Sequence, residues 1–185
     1  TKWGEVSGAP IYTDGKVVAT ISVARDITER IQIEKALNRE RDFLSVVFDN
    51  IEEAIVICDA DGKLIRFNDA ARKLHGVMEQ PVKSNRWAEY YDLYKTDGST
   101  PLPVQDIPLF MALDGEHVQN VEIIVAPKNS KSHFLVCNGQ ALRNDAGEVI
   151  GAVIAMHDIT KRKKTKEKLR AQTKTLNDIL EKAAD

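Results

Sequence analysis

The tripeptide Asp-Ile-Thr occurs twice, at Asp26-Ile27-Thr28 and at Asp158-Ile159-Thr160. Each copy closes an apolar strand and opens a charged helix. The copies stand 132 positions apart, and the match runs upstream without a gap: Gly15 falls on Gly147, Val17 on Val149, Val18 on Ile150 and Ile21 on Val153. A repeated strand-to-helix junction means a repeated module. The repeat predicts the tail of one module over 1–28, a helical connector over 29–50, a complete module over 51–160 and an exit helix over 161–185. The first copy then lacks its front, so the chain is expected to be a piece of something longer.

Within this frame the local signals are specific. Thr13-Asp14-Gly15-Lys16 is a hairpin turn, since Asp-Gly supplies positive φ, and it joins strands over 3–11 and 17–25. A lone hairpin is marginal in water, so this one is expected to pack on a neighbour or to be poorly ordered. In the connector, Ile33, Leu37, Glu40, Leu44, Val47 and Ile51 keep the 4-3-4 spacing of a coiled-coil seam, broken only by Glu40. A helix lying on its own domain is the other reading. Thr28 is expected to cap this helix. Leu169, Thr173, Leu176, Leu180 and Ala183 repeat the spacing in the exit helix. So thin an apolar stripe is not stable alone. Pairing with the same helix of another chain is expected, with Leu37, Leu44 and Val47 in one seam and Leu169, Leu176 and Leu180 in the other.

The complete module begins with strands over 54–58 and 63–67 about an Asp-Gly turn. Asn68 caps a short helix, and Gly76 ends it. An irregular stretch over 81–103 carries Trp87, Tyr90, Tyr91 and Tyr94, expected to cover the core. A second short helix spans 106–113, with Pro108 tolerated in its first turn. Three strands follow over 117–126, 131–142 and 148–157. The last is apolar at nearly every position, which predicts burial on both faces, with one face covered from within the domain and the other by a flanking helix or a second subunit.

This order resembles the PAS domain family of bacterial and archaeal sensor proteins. The resemblance is carried by Asp59-Ala60-Asp61-Gly62, Phe67-Asn68-Asp69-Ala70-Ala71, Leu74-His75-Gly76, Asp97-Gly98, Pro108-Leu109, Ala112-Leu113, Gly115-Glu116, and Gly147 through Asp158-Ile159-Thr160. It implies an α+β fold, a five-stranded antiparallel sheet with short helices over one face and a pocket between. It also implies a sensory module that passes a conformational change along its exit helix. The usual output is a two-component histidine kinase, less often a diguanylate cyclase; a ligand-free interaction domain is a further reading. Asp158, Ile159 and Thr160, with Asp26 and Thr28 in the first copy, match the family's junction residues. The Thr160 hydroxyl is expected to cap the exit helix. Lys161-Arg162-Lys163-Lys164 opposes the helix dipole there, or is simply solvated.

Catalytic signals are absent. No phosphate loop, nucleophile elbow or metal-ligand spacing occurs, nor does a kinase phosphoacceptor box resembling His-Glu-Phe-Arg-x-Pro. No metal ligand and no cofactor is therefore expected. The flavin motif Asn-Cys-Arg-Phe-Leu-Gln is missing. His75, on the first short helix, is the one candidate for haem iron; an exposed helix-end histidine is the other reading. Asn138 and Gln140 can line a pocket for a small polar ligand or lie at a strand edge. Cys58 and Cys137 read as reduced core thiols of a cytoplasmic protein. The net charge is −2, and the basic run from Lys161 lacks interleaved aromatics, so neither nucleic acid nor a membrane surface is an expected partner. The longer protein can still be anchored in a membrane elsewhere.

Overall fold

The computed structural model describes residues 2–76, 82, 84–127 and 131–184, with 85 and 177–184 described by their backbone alone. The chain forms two compact units, residues 1–48 and 49–185.

In the first unit, β1 (Gly4–Thr13) and β2 (Lys16–Asp26) pair antiparallel. Asp14 and Gly15 sit at φ 50° and 74°, as a type I′ turn demands. The side chains along both strands are exposed. The helix α1 (Thr28–Asp49) follows, with Ile33, Leu37, Leu44 and Val47 all exposed along it.

The second unit holds β3 (Ala54–Asp59), β4 (Leu64–Phe67), β5 (Leu93–Tyr94), β6 (Val118–Val125), β7 (His133–Arg143) and β8 (Val149–Asp158). They form one antiparallel sheet in the order β4-β3-β8-β7-β6-β5. The five expected strands are present, and the two-residue β5 extends the edge. Among the described residues three short α-helices accompany the sheet: α2 (Asp69–His75), α3 (Trp87–Tyr90) and α4 (Pro108–Leu113). Pro108 stands in the first turn of α4, where its missing N–H costs nothing. The long exit helix α5 (Thr160–Ala184) leaves from the end of β8.

Asn68 locks the start of this unit. Its Oδ1 accepts from the Ala71 amide at 2.9 Å, which caps α2, and from the Ile55 amide at 2.9 Å. Its Nδ2 donates to the carbonyls of Ile51 at 3.1 Å and Glu53 at 2.7 Å. One fully buried side chain thus joins the loop before β3, β3 itself and α2. The helix ends at Gly76 in the left-handed region, φ 66°.

The core lies on the helix-covered face of the sheet. Strand period sends Val56 and Cys58, Leu135 and Cys137, and Ala152, Ile154 and Met156 to that face. Phe67, Trp87, Leu109 and Ala112 pack against them. Each large apolar side chain buried here contributes roughly 1.5–3 kcal/mol. At Gly139 the strands β7 and β8 run so close that a Cβ would lie 2.4 Å from the Val153 carbonyl oxygen, so only glycine fits. Within this chain β8 is covered on one face. Ala152, Ile154 and Met156 are buried, Val153 and Ala155 are half-buried, and Ile150 is exposed. The helices of this unit cover one face only.

Candidate functional site

The two Asp-Ile-Thr copies fold identically. In the second unit the Ile159 amide donates to the Phe134 carbonyl at 2.8 Å, and the Phe134 amide donates to Thr160 Oγ1 at 2.8 Å. The Thr160 amide donates to Asp158 Oδ1 at 2.8 Å. In the first unit Ile27 donates to the Trp3 carbonyl at 3.0 Å, Trp3 to Thr28 Oγ1 at 2.8 Å, and Thr28 to Asp26 Oδ1 at 2.9 Å. Three bonds recur atom for atom, with Trp3 in the place of Phe134.

This geometry corrects the role expected of Thr28 and Thr160. Neither hydroxyl caps its helix. Each threonine is already the first helical residue, so its side chain points back toward the chain's preceding turn. There it accepts from a neighbouring strand amide. The aspartate two residues before the helix's first residue takes that residue's orphan amide instead, the role a capping side chain fills. Hydrogen bonding to Thr28 holds the Asp26 carboxyl below its ordinary value. For Asp158, burial pushes the carboxyl up, but bonds from Thr160 and then His133 outweigh it, and the group ends below its ordinary value.

The second junction carries two further ties. His133 Nδ1 lies 2.7 Å from Asp158 Oδ2. Lys163 Nζ lies 2.5 Å from Glu122 Oε2 and 5.0 Å from the centre of the Phe134 ring. One of the four basic residues at the start of α5 is therefore neither merely repelled by the dipole nor merely solvated: it ties the first turn of the helix to β6 and β7. Nothing in the sequence pattern marks Glu122, His133 or Phe134, because their partners lie 25 to 41 residues away.

Between sheet and helices lies a cavity of about 40 Å³. Its walls come from every layer: Val56 of β3, Phe67 of β4, His75 of α2, Trp87 of α3, Tyr91, Leu109 of α4, Ile123 of β6, Cys137 of β7, and Ile154 and Met156 of β8. Phe67, His75 and Tyr91 form an aromatic triangle with ring centres 5.4 to 5.5 Å apart. Burial pushes the His75 ring down to about 4, against a hydrogen bond to the Tyr91 backbone, with a small further push from His133. Its Nδ1 has no hydrogen-bond partner among the described residues. Burial pushes the thiols up, Cys58 to about 11 and Cys137 to about 12.

The sequence-expected residues divide accordingly. His75 is buried at the cavity, not exposed at a helix end. Asn138 and Gln140 do not line this cavity: strand period places Cys137 inward and these two outward, where both are exposed and line a surface hollow with His117, Gln119 and Asn120. Asn138 Oδ1 instead accepts from the Asn120 amide at 2.9 Å. Trp87 and Tyr91 cover the core as expected, whereas Tyr90 is exposed. Along the seams, Leu37, Leu44, Val47, Leu169 and Leu176 are exposed; the side chain of Leu180 lies outside the described residues. Phe43 and Val46 are also exposed on α1 and widen its stripe beyond the residues that the spacing singled out.

A flavin or haem ring does not fit a cavity of this size, and Cys137 is held as the protonated thiol. Among the described residues no group of three or more His, Cys, Asp or Glu side chains is placed to hold a metal ion, and no helix is long and apolar enough to cross a membrane.

Comparison with known proteins agrees with this geometry. Over 131 residues the chain is 28% identical to hybrid signal transduction histidine kinase I of Dictyostelium discoideum, covering 69% of this chain and 8% of that protein. Over 163 residues it is 24% identical to the probable diguanylate cyclase DgcE of Escherichia coli (strain K12), covering 82% and 13%. The chain thus spans only a small part of these relatives. Among solved structures, the PAS domain of an HTR-like protein from Haloarcula marismortui is similar with a TM-score of 0.51 at 16% identity, over 69% of this chain and 98% of that one. An RNA-binding light-oxygen-voltage receptor is similar with a TM-score of 0.52 at 15% identity, over 94% and 44%. Such identities speak to the fold alone. The family model described as the PAS fold matches residues 48–164, which is most of the chain, and the chain belongs to that family.

Proposed function

We propose that this chain is the sensory and dimerising part of a signal-transduction protein, and that its cavity is the sensory site. A change at the cavity passes along β8 and through Asp158-Ile159-Thr160 to α5, and two α5 helices pair to carry it to an output domain. The observation that supports this reading most is the continuity of β8. Ile154 and Met156 line the cavity, and two residues later Asp158 holds the first amide of α5. A shift of the strand end therefore moves the helix start directly. Rotation or a change of register of paired helices is a familiar way to switch output.

The favoured output is a two-component sensor histidine kinase, in line with the higher identity to the Dictyostelium protein. A diguanylate cyclase is the second reading, favoured by the longer match to DgcE. The chain itself is not an enzyme on this reading, and a cytoplasmic location goes with it.

Pairing is tested with the double variant Leu44→Asp and Leu176→Asp, which puts charge into both seams, a cost that burial without a partner makes large. Light scattering should report a dimer for the original chain and a monomer for the variant at micromolar concentration. A variant that stays dimeric refutes pairing through these helices.

A further inference from the structure

The basic run that opens α5 is not demanded by the junction it follows. The same junction opens α1, and the two helices align without a gap, Leu37 on Leu169 and Leu44 on Leu176. Over 29–42 of α1, four basic residues stand beside four acidic ones. Over the equivalent 161–174 of α5, eight basic residues stand beside one acid, Glu167. One copy of the junction thus folds the same way with its charges balanced. Lys163 has a local reason, since it bonds Glu122. Lys161, Arg162, Lys164, Lys166, Lys168, Arg170 and Lys174 are exposed.

The seam shows where part of this charge points. Leu169 and Leu176 are exposed, and their heptad spacing carried backward falls on Lys166 and Arg162. The equivalent residues of α1 are Glu34 and Arg30, an opposite pair one turn apart whose charges cancel. In α5, Glu167 stands at helical spacing from Lys163, Lys164 and Arg170, and not from Arg162 or Lys166. Two α5 helices that run in parallel to a common output have axes about 8–10 Å apart. Arg162 and Lys166 from both copies then meet as four cations on the pair's axis. Simple salt at physiological strength screens over about 8 Å, so it leaves much of that repulsion in place.

We propose that the paired α5 helices bind one compact multivalent oxyanion of the phosphate or pyrophosphate class between Arg162 and Lys166 of the two copies, which draws the helix starts together beside Asp158-Ile159-Thr160. The proposal rests on the pairing of α5 and names a ligand for the pair. The chemistry fits: a guanidinium fork takes two oxygens of such an anion at once. The space fits as well. Arg162 and Lys166 are about 6 Å apart along the helix, and Leu169 closes the axis below them. That length seats a compact anion and is too short for an acidic peptide or a nucleic-acid strand lying along the axis.

The dimer dissociation constant of the purified chain is measured by analytical ultracentrifugation in sodium chloride and in sodium pyrophosphate at equal ionic strength. Calorimetry gives the stoichiometry. Pyrophosphate should tighten the dimer about tenfold or more, with one anion per two chains. Arg162→Gln with Lys166→Gln should abolish the effect and dimerise in chloride at least as tightly as the original chain. Lys168→Gln with Lys174→Gln removes the same charge from positions off the seam and should keep the effect. Equal dimerisation in the two salts overturns the proposal, because screening alone then accounts for it. One anion per chain overturns it too, as does an equal loss of the effect in both double variants. A dimer that ignores pyrophosphate removes the site and leaves the pairing standing. A chain that stays monomeric even with pyrophosphate removes both.

Discussion

Replacing Thr160 by alanine separates a strand bridge from a helix cap. Thr160 Oγ1 accepts from the Phe134 amide at 2.8 Å. A hydrogen bond of this kind contributes about 1 kcal/mol net, and leaving its donor unpaired in a buried place costs about 1–3 kcal/mol. Phe134 is half-buried, so the loss works out at about 1.5 kcal/mol, close to a tenfold change in a local opening equilibrium. Amide hydrogen exchange should therefore speed up about tenfold at Phe134. The first turn of α5 keeps its Asp158 bond, so the Lys163 and Lys164 amides should hold their protection. Thr160→Ser, which restores the hydroxyl, should restore slow exchange at Phe134. Asp158→Ala should do the reverse, loosening the first turn by about 1 kcal/mol. Faster exchange over 161–166 with Phe134 unchanged in Thr160→Ala would show that the hydroxyl caps the helix after all, and the reasoning would fail. Uniform loss across the sheet would show that the junction is part of the global core.

Three further outcomes follow from the same geometry. Asn68→Ala removes four hydrogen bonds from a fully buried site and should cost about 3 kcal/mol in urea unfolding; a loss under about 1 kcal/mol would mean the loop before β3 is held by other contacts. His75 has a folded pKa of about 4, below its unfolded value, so the unfolded chain takes up its proton first as pH falls. Stability from this group is full above about pH 6.5, declines toward pH 4 by about 3 kcal/mol in all, and changes no further below that. His75→Leu should remove that slope from a series of urea titrations, and an unchanged slope would assign it to other groups. Glu122→Gln removes the charge opposite Lys163 on a partly exposed pair, so stability should change by less than about 1 kcal/mol, while the Lys163 side-chain resonances should lose their dependence on salt.

Much of this fold can be read from the chain before any coordinates. Strands over 54–58 and 63–67, the Asn68 start and Gly76 end of α2, and Pro108 at the head of α4 are written in local residue types, and local rules govern them. The repeat was legible because two junctions solve the same local problem with the same residues. What stayed hidden depended on facing. Asn138 and Gln140 sit in the right strand, but a period of two decides that Cys137 faces the cavity and they do not, and the parity of one strand is fixed only by its register with the next. The thresholds of the junction were also hidden. The Thr160 hydroxyl and the Lys163 ammonium find Phe134 and Glu122 across strands, at separations no window along the sequence reports. For His75, helix position gave two readings, and the packing of Phe67 and Tyr91 about its ring set aside the exposed one.

The central claim is that the cavity and the exit helices are mechanically joined through β8. It is tested most directly by electron–electron double resonance on the Gln172→Cys variant, labelled on α5. Cys58 and Cys137 are fully buried and should stay unlabelled. The account predicts a defined distance between the labels of a dimer, and a measurable shift of that distance when Cys137→Leu fills the cavity from within. Labels that show no dipolar coupling would contradict pairing. A distance that stays the same when the cavity is filled would contradict the relay.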